Sequence, residues 1–298
     1  MLLQVQPTGD FSWTSWHGEP SVRAGILLLA GLYLLGVGPL RRRYALGPPA
    51  PRWKIATFLA GIAILFVALD GPLDDLSDNY LFSAHMLQHM LLTLFMPPLL
   101  LMGTPGWLLR PLIGLPFAAR VARALTQPLV ALLLFNVTFT VFHLPSFFEL
   151  TLEDERFHIA EHVLFMVTAI ITWWPILSPL PELPRLPYPV QLIYVFFQTF
   201  SGFTVGAFLT LAQQVLYPFY QSVPRLWGVS ALDDQKIGGL IMWVIGGTFL
   251  LLVFTAIFFA WVSHEHVQDE VVEPPARERE PGLAPPNRGV VGARPDKP

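Results

Sequence analysis

Two histidine pairs sit in apolar, membrane-length stretches: His85 and His89 in HMLQH, and His158 and His162 in HIAEH. An ionisable side chain in the bilayer is costly, so it is rare there and marks function by default. Residues four apart on a helix share one face, about 6 Å apart along the axis. Two imidazoles so placed suit a single metal ion, although a membrane histidine can also simply bond a neighbouring helix. The second pair is not the HExxH of zinc proteases, because Glu161 directly precedes His162 and the general base is misplaced.

Around the pairs stand weaker candidates. His143 closes another apolar stretch and reads as a further ligand or as a hydrogen-bond partner. Met96 and Met166 continue the two histidine faces, as soft ligands or as packing. Glu161 reads as a residue orienting a ring or as one facing the outer water layer, the second being preferred. Asp233 and Asp234 open the last apolar stretch, as helix caps or as a way in for a cation, with capping preferred. His17, beside Trp16, reads as interfacial, and His264 and His266 as the start of a solvated tail.

These residues need elements to hold them. Of the 298 residues, 53% are hydrophobic and 13% charged, about half the charged share of soluble domains. Several apolar runs approach or exceed the ~20 residues that span a bilayer. Only helices satisfy their own backbone in lipid without closing a barrel. The sequence therefore predicts an all-α integral membrane protein, a bundle of seven transmembrane helices. The spans are expected near 22–40, 53–69, 80–102, 128–148, 156–176, 189–212 and 237–262. They form one domain, 22–262, between an extracytoplasmic segment, 1–21, and a polar, proline-rich tail, 263–298, expected to be disordered in the cytoplasm. Residues 1–21 lack the basic and apolar regions of a cleavable signal peptide. Pro97 and Pro98 should kink the third span. Gly202, Gly206, Gly238, Gly239, Gly246 and Gly247 suit close helix packing.

Orientation follows from the short loops. Arg41, Arg42, Arg43, Arg52, Lys54, Arg110, Arg120, Arg123 and Arg185 fall in alternate loops, and the others are acidic. The N-terminus is thus expected outside and the C-terminus in the cytoplasm. That topology brings His85, His89, His143, His158 and His162 to one depth, near the outer face, without any use of histidine in reaching it. A net charge of -3, with the basic residues scattered, gives no surface for nucleic acid. The absence of cysteine excludes disulfides, thiolate sites and iron–sulfur clusters.

SAHMLQHMLL, PPLLLMGTP, the FH at 142–143, RFHIAEHVLF and DDQKIGGLIMW resemble the CtaG family of cytochrome c oxidase assembly factors, the multispan type linked to caa3 oxidases. The resemblance runs from about 20 to 262. It implies a role in maturing the copper centre of a haem-copper oxidase. It makes His85, His89, His158 and His162 candidate copper ligands, with His143 beside them. The implied partners are the oxidase catalytic subunit, other copper chaperones and membrane lipid, in a bacterial inner membrane. Transfer of Cu(I) by ligand exchange is not catalysis, so no enzyme activity is expected. Three alternatives stay open on the residues alone: a haem b redox protein with bis-histidine ligation, a copper importer, and a di-iron oxygenase. The oligomeric state is left open too.

Overall fold

The structure, a computed structural model, describes residues 11–14, 16 and 19–272; His17 and the expected tail beyond 272 lie outside the described residues. Every regular element among the described residues is a helix. Apart from two single turns, Gly106–Leu109 and Phe219–Ser222, we number them α1 (Pro20–Tyr44), α2 (Arg52–Leu69), α3 (Pro72–Asn79), α4 (Phe82–Gly103), α5 (Pro116–Leu125), α6 (Pro128–Phe142), α7 (Pro145–Glu153), α8 (Glu155–Leu177), α9 (Tyr188–Leu211) and α10 (Ala231–His266). Six of these are long and apolar enough to cross a membrane, and α5 with α6, bent by 68°, makes a seventh if the pair is one span.

Three boundaries differ from expectation. The fourth span stops at Phe142 rather than continuing to 148, because Leu144 precedes Pro145 and is driven to extended backbone (φ −68°, ψ 135°). Helix α10 starts at Ala231, well before 237, since Ser230 caps it there. Its helical turns continue to Val272, past the expected end at 262.

Helix α4 is the centre of the bundle: 67% of its apolar window is buried, against 22–50% for the other spans. One flank packs on α1 and α2, through Phe58, Ile62, Leu65, Leu92, Met96 and Leu100. The other packs on α6, α8 and α10, through Met86, Met90, Phe139, Phe165, Trp173 and Met242. Outward faces such as Leu27, Phe196, Phe200, Leu251 and Phe259 are exposed and apolar, as lipid contact requires.

Pro97 and Pro98 do not break α4. The turn before them widens to π-type spacing over Leu91–Phe95 and the helix runs on to Gly103. Pro97 has no N–H to give the Thr93 carbonyl four residues back. The Trp173 indole N–H of α8 takes that place, 3.0 Å from Thr93 O. Trp173→Phe removes the donor and strands a carbonyl in an apolar interior. It should cost about 1–3 kcal/mol, read as a lower melting temperature in detergent; unchanged melting would refute this account.

The widened turn also shifts the face of every residue after it by about one residue's worth of rotation, roughly 100°. Met96 therefore lies in the apolar layer with Ile62 and Leu65, where Met166 also packs.

Candidate metal centre

The two histidine helices are started by side chains. Leu81, at the head of α4, is extended and offers no cap of its own. The cap comes from α10: the fully buried Asp234 accepts the N–H of Phe82 at 2.8 Å and of Ser83 at 3.1 Å. A carboxylate there also matches the positive end of the helix dipole. Asp234 is thus a cap, with the correction that it caps another helix than its own, while the cap of α10 is Ser230 rather than either aspartate. Asp233 pairs with its own cap, the Ser230 hydroxyl, at 2.6 Å. Gly238 lets α10 lie against Phe82, and the Gln235 amide oxygen accepts Leu216 N–H at 2.7 Å. Helix α8 starts where Asp154 accepts the Arg156 N–H at 2.8 Å, which puts His158 and His162 in its first two turns. His143 ends α6, just before the turn into Pro145.

The five histidines meet. Ring centroids lie 4.3 Å apart for His85 and His89, and 4.4 Å for His158 and His162. Between helices, His85 is 5.6 Å from His158 and 6.0 Å from His162, while His89 is 5.4 Å from His162 and 5.6 Å from His143. Two triads offer ligand atoms all within 4.8 Å of one another: His85, His158, His162, and His85, His89, Glu161. Three donors about 2.0 Å from one ion stand about 3.5 Å apart, so closure requires shifts of roughly an ångström. Neither triad includes Asp233 or Asp234.

Glu161 corrects the reading that put it toward outer water. It is completely buried, with a carboxylate oxygen 4.0 Å from His89 Nε2. The nearby Thr151 hydroxyl donates instead to the Phe148 carbonyl, at 2.8 Å. Sequence reasoning also missed Asp78 of α3, whose Oδ1 lies 3.8 Å from His158 Nε2. Its only signal was membership of an acidic loop. Missed likewise was the roof: Tyr217 donates to the His143 carbonyl at 2.8 Å, Tyr220 donates to the Ser77 carbonyl at 2.9 Å, and Phe148 lies 5.2 Å from the His85 ring.

What the cluster lacks is hydrogen bonds. Both nitrogens of His85 and His89, Nε2 of His143, His158 and His162, and both Glu161 oxygens are buried without a partner. They are nine of the twelve such side-chain atoms among the described residues, so the deficit is concentrated in one place. Buried polar atoms are normally bonded, and leaving one unmade costs about 1–3 kcal/mol. A metal ion answers the lone pairs that hydrogen bonds leave idle, so these residues fit one. His143 belongs to neither triad; its Nδ1 lies 2.7 Å from the Phe139 carbonyl, which can only accept, so the proton is on Nδ1 and the Nε2 lone pair is left free.

Beside the site, Gln88 donates from Nε2 to the Ala68 carbonyl at 2.7 Å and to Asp74 at 2.8 Å, tying α4 to α2 and α3. Burial first, then the neighbouring Asp78 carboxylate, pushes the Asp74 carboxyl up to about 8, against the opposing pull of the Gln88 hydrogen bond. The folded chain thus holds this proton more tightly than the unfolded chain, where the value is about 3.9. The stability this proton provides is full below that lower value and is lost as pH rises to about 8. Melting temperature should fall between about pH 5 and pH 8, and Asp74→Asn should flatten the slope; parallel slopes in the two proteins would count against it.

Membrane-length helices around a buried cluster of imidazoles and one carboxylate define a multi-pass helical membrane protein with a metal-type ligand set. The profile of the family described as cytochrome c oxidase caa3 assembly factor (Caa3_CtaG) matches residues 31–264, and the chain belongs to that family. Among curated proteins it is similar to uncharacterized proteins of Mycobacterium bovis and Mycobacterium tuberculosis, each 28% identical over 279 residues, which cover 88% of this chain and 42% of each relative. An uncharacterized protein of Mycobacterium leprae is 27% identical over 275 residues, 85% of this chain and 40% of that protein. The chain thus spans about two fifths of the length of these relatives. No solved structure matches it.

Proposed function

We propose that the chain binds Cu(I) in the histidine cluster and presents it to the catalytic subunit of a haem-copper oxidase during assembly, without catalysing a reaction. The observation that carries this reading is the concentration of buried, unpartnered imidazole nitrogens from three helices. Imidazole suits copper, and a chain without cysteine has no thiolate to offer it. Charge supports the monovalent ion. Glu161 is the one carboxylate wholly buried among the imidazoles and balances one positive charge, while Asp78 at the rim is partly solvated; an unbalanced charge at membrane depth is expensive. Met96 and Met166, in their apolar layer, are packing residues in this reading.

The histidines lie at the end of the bundle opposite the arginine-rich turns, which include Arg41, Arg42, Arg43 and the Arg110–Glu182 pair. With the basic end in the cytoplasm of a bacterial cell, copper arrives from outside. A haem would need an open slab between two facing rings; here the histidines and Phe148 and Phe165 fill that volume. The test is copper analysis of the purified chain under reductant, with and without the four paired histidines. Copper bound by the intact chain and absent from the quadruple His→Ala variant is expected; equal copper in both would end the proposal.

A further inference from the structure

We infer that the cluster is a path of two overlapping stations, an outer one at His85, His158 and His162 and an inner one at His85, His89 and Glu161, with His85 handing the ion from one to the other. This rests on the copper reading above. The two triads share His85 alone, and neither extends to the other's remaining ligands at the same closeness. As the side chains stand, each triad closes on an ion with shifts of about an ångström, and a site that took all five residues would need larger ones.

The stations differ in access. His158 is 17% exposed and its neighbour Asp78 is 35% exposed, whereas His89 and Glu161 are wholly buried. Phe148 closes over His85 and Phe165 over His89, while Tyr217 and Tyr220 are buried in the roof above. Asp78 and the outer edge of the His158 ring form the solvent-facing side of the cluster, with His158 Nε2 itself buried behind them.

Each station carries one carboxylate close to one imidazole, Asp78 at 3.8 Å from His158 and Glu161 at 4.0 Å from His89. A monovalent ion meets a carboxylate at both, and the one it leaves behind, Asp78, is the partly solvated one, so the cation is at neither station an unpaired charge. His85 is placed for the exchange. Its ring stacks on His158 at 19° and meets His89 edge-on at 73°. In the transfer the bonds to His158 and His162 break, those to His89 and Glu161 form, and a bond to His85 persists. Copper stays Cu(I), and no electron moves.

The experiment uses the full chain in detergent, loaded with one equivalent of Cu(I) under reductant, and a water-soluble Cu(I) chelator as acceptor. The intact chain should release copper slowly. Glu161→Gln, and separately His89→Ala, should still bind one ion but lose it to the chelator at least tenfold faster, because the ion is confined to the wet station. His158→Ala should load at least tenfold more slowly and, because the ligands of the inner station are unchanged, release at least tenfold more slowly as well. Glu161→Gln keeps shape and size, so it remains informative if His89→Ala does not fold. The inference is overturned if the inner variants bind no copper while the intact chain does, which means a single joint site. Equal release rates in all the proteins overturn it as well. An intact chain that binds no copper at all fells the copper reading itself, a different result from either.

Discussion

His85→Leu should yield a protein that is harder to unfold and nearly unable to hold copper. His85 is completely buried and neither ring nitrogen has a partner. In the metal-free chain these atoms are a liability, and leucine fills similar space without them. The metal-free variant should gain about 1–3 kcal/mol, the cost of a buried polar group left unpaired. Copper binding should move the other way. A structural metal site of four ligands binds with about 10–16 kcal/mol, so one ligand represents roughly 3 kcal/mol, or about a hundredfold in affinity. His85 belongs to both triads, so no intact triad remains to compensate. Thermal unfolding without metal and chelator competition with Cu(I) measure the two halves. A variant less stable than the parent would mean that His85 has a structural task here, and unchanged copper affinity would remove it from the site.

Gly239→Val should prevent a stable bundle from forming. A methyl group on Gly239 would stand 2.5 Å from Thr210 Oγ1, 2.8 Å from Thr210 N and 2.8 Å from Gly206 O. Two of those atoms are backbone of α9 and cannot turn aside. Overpacking costs about 1–3 kcal/mol even where side chains can adjust, and valine brings two methyl groups more. The damage reaches the metal centre, because α10 also carries Asp234, the cap of α4, and Gly238, the seat of Phe82. Gly247 is the control, with nothing within 4 Å of its added carbon. Size-exclusion profiles should show a large loss of monodisperse protein for Gly239→Val, a smaller one for Gly239→Ala and little change for Gly247→Ala. Similar profiles for Gly239→Val and Gly247→Val would contradict this account of the α9–α10 contact.

The spans were legible because their apolar lengths answer to bilayer thickness, a constraint local to each segment. The histidine pairs were legible for a related reason: a spacing of four names a face without knowledge of what the face meets. Six glycines were assigned to close packing; Gly206, Gly238, Gly239 and Gly246 make such contacts, Gly202 a looser one, and Gly247 none. What escaped were relations between segments. Asp234 looks like the cap of the helix it begins, and only the packing of α10 on α4 reveals its true recipient. Glu161 beside an outer-end histidine looked wet, and it is dry because α4 and α7 cover it. The Met96 face was inferred from ideal helical phase, and the π-type turn at Leu91–Phe95 altered that phase. The helix runs on through Pro97 and Pro98 because Trp173, contributed by a distant helix, occupies the carbonyl that the proline leaves free.

The tie between Asp234 and Phe82 joins positions 152 residues apart. During synthesis α4 is threaded into the bilayer long before the residue that steadies its first turn has been translated. The helix that carries His85 and His89 therefore gains the cap of its first turn only once α10 has been made.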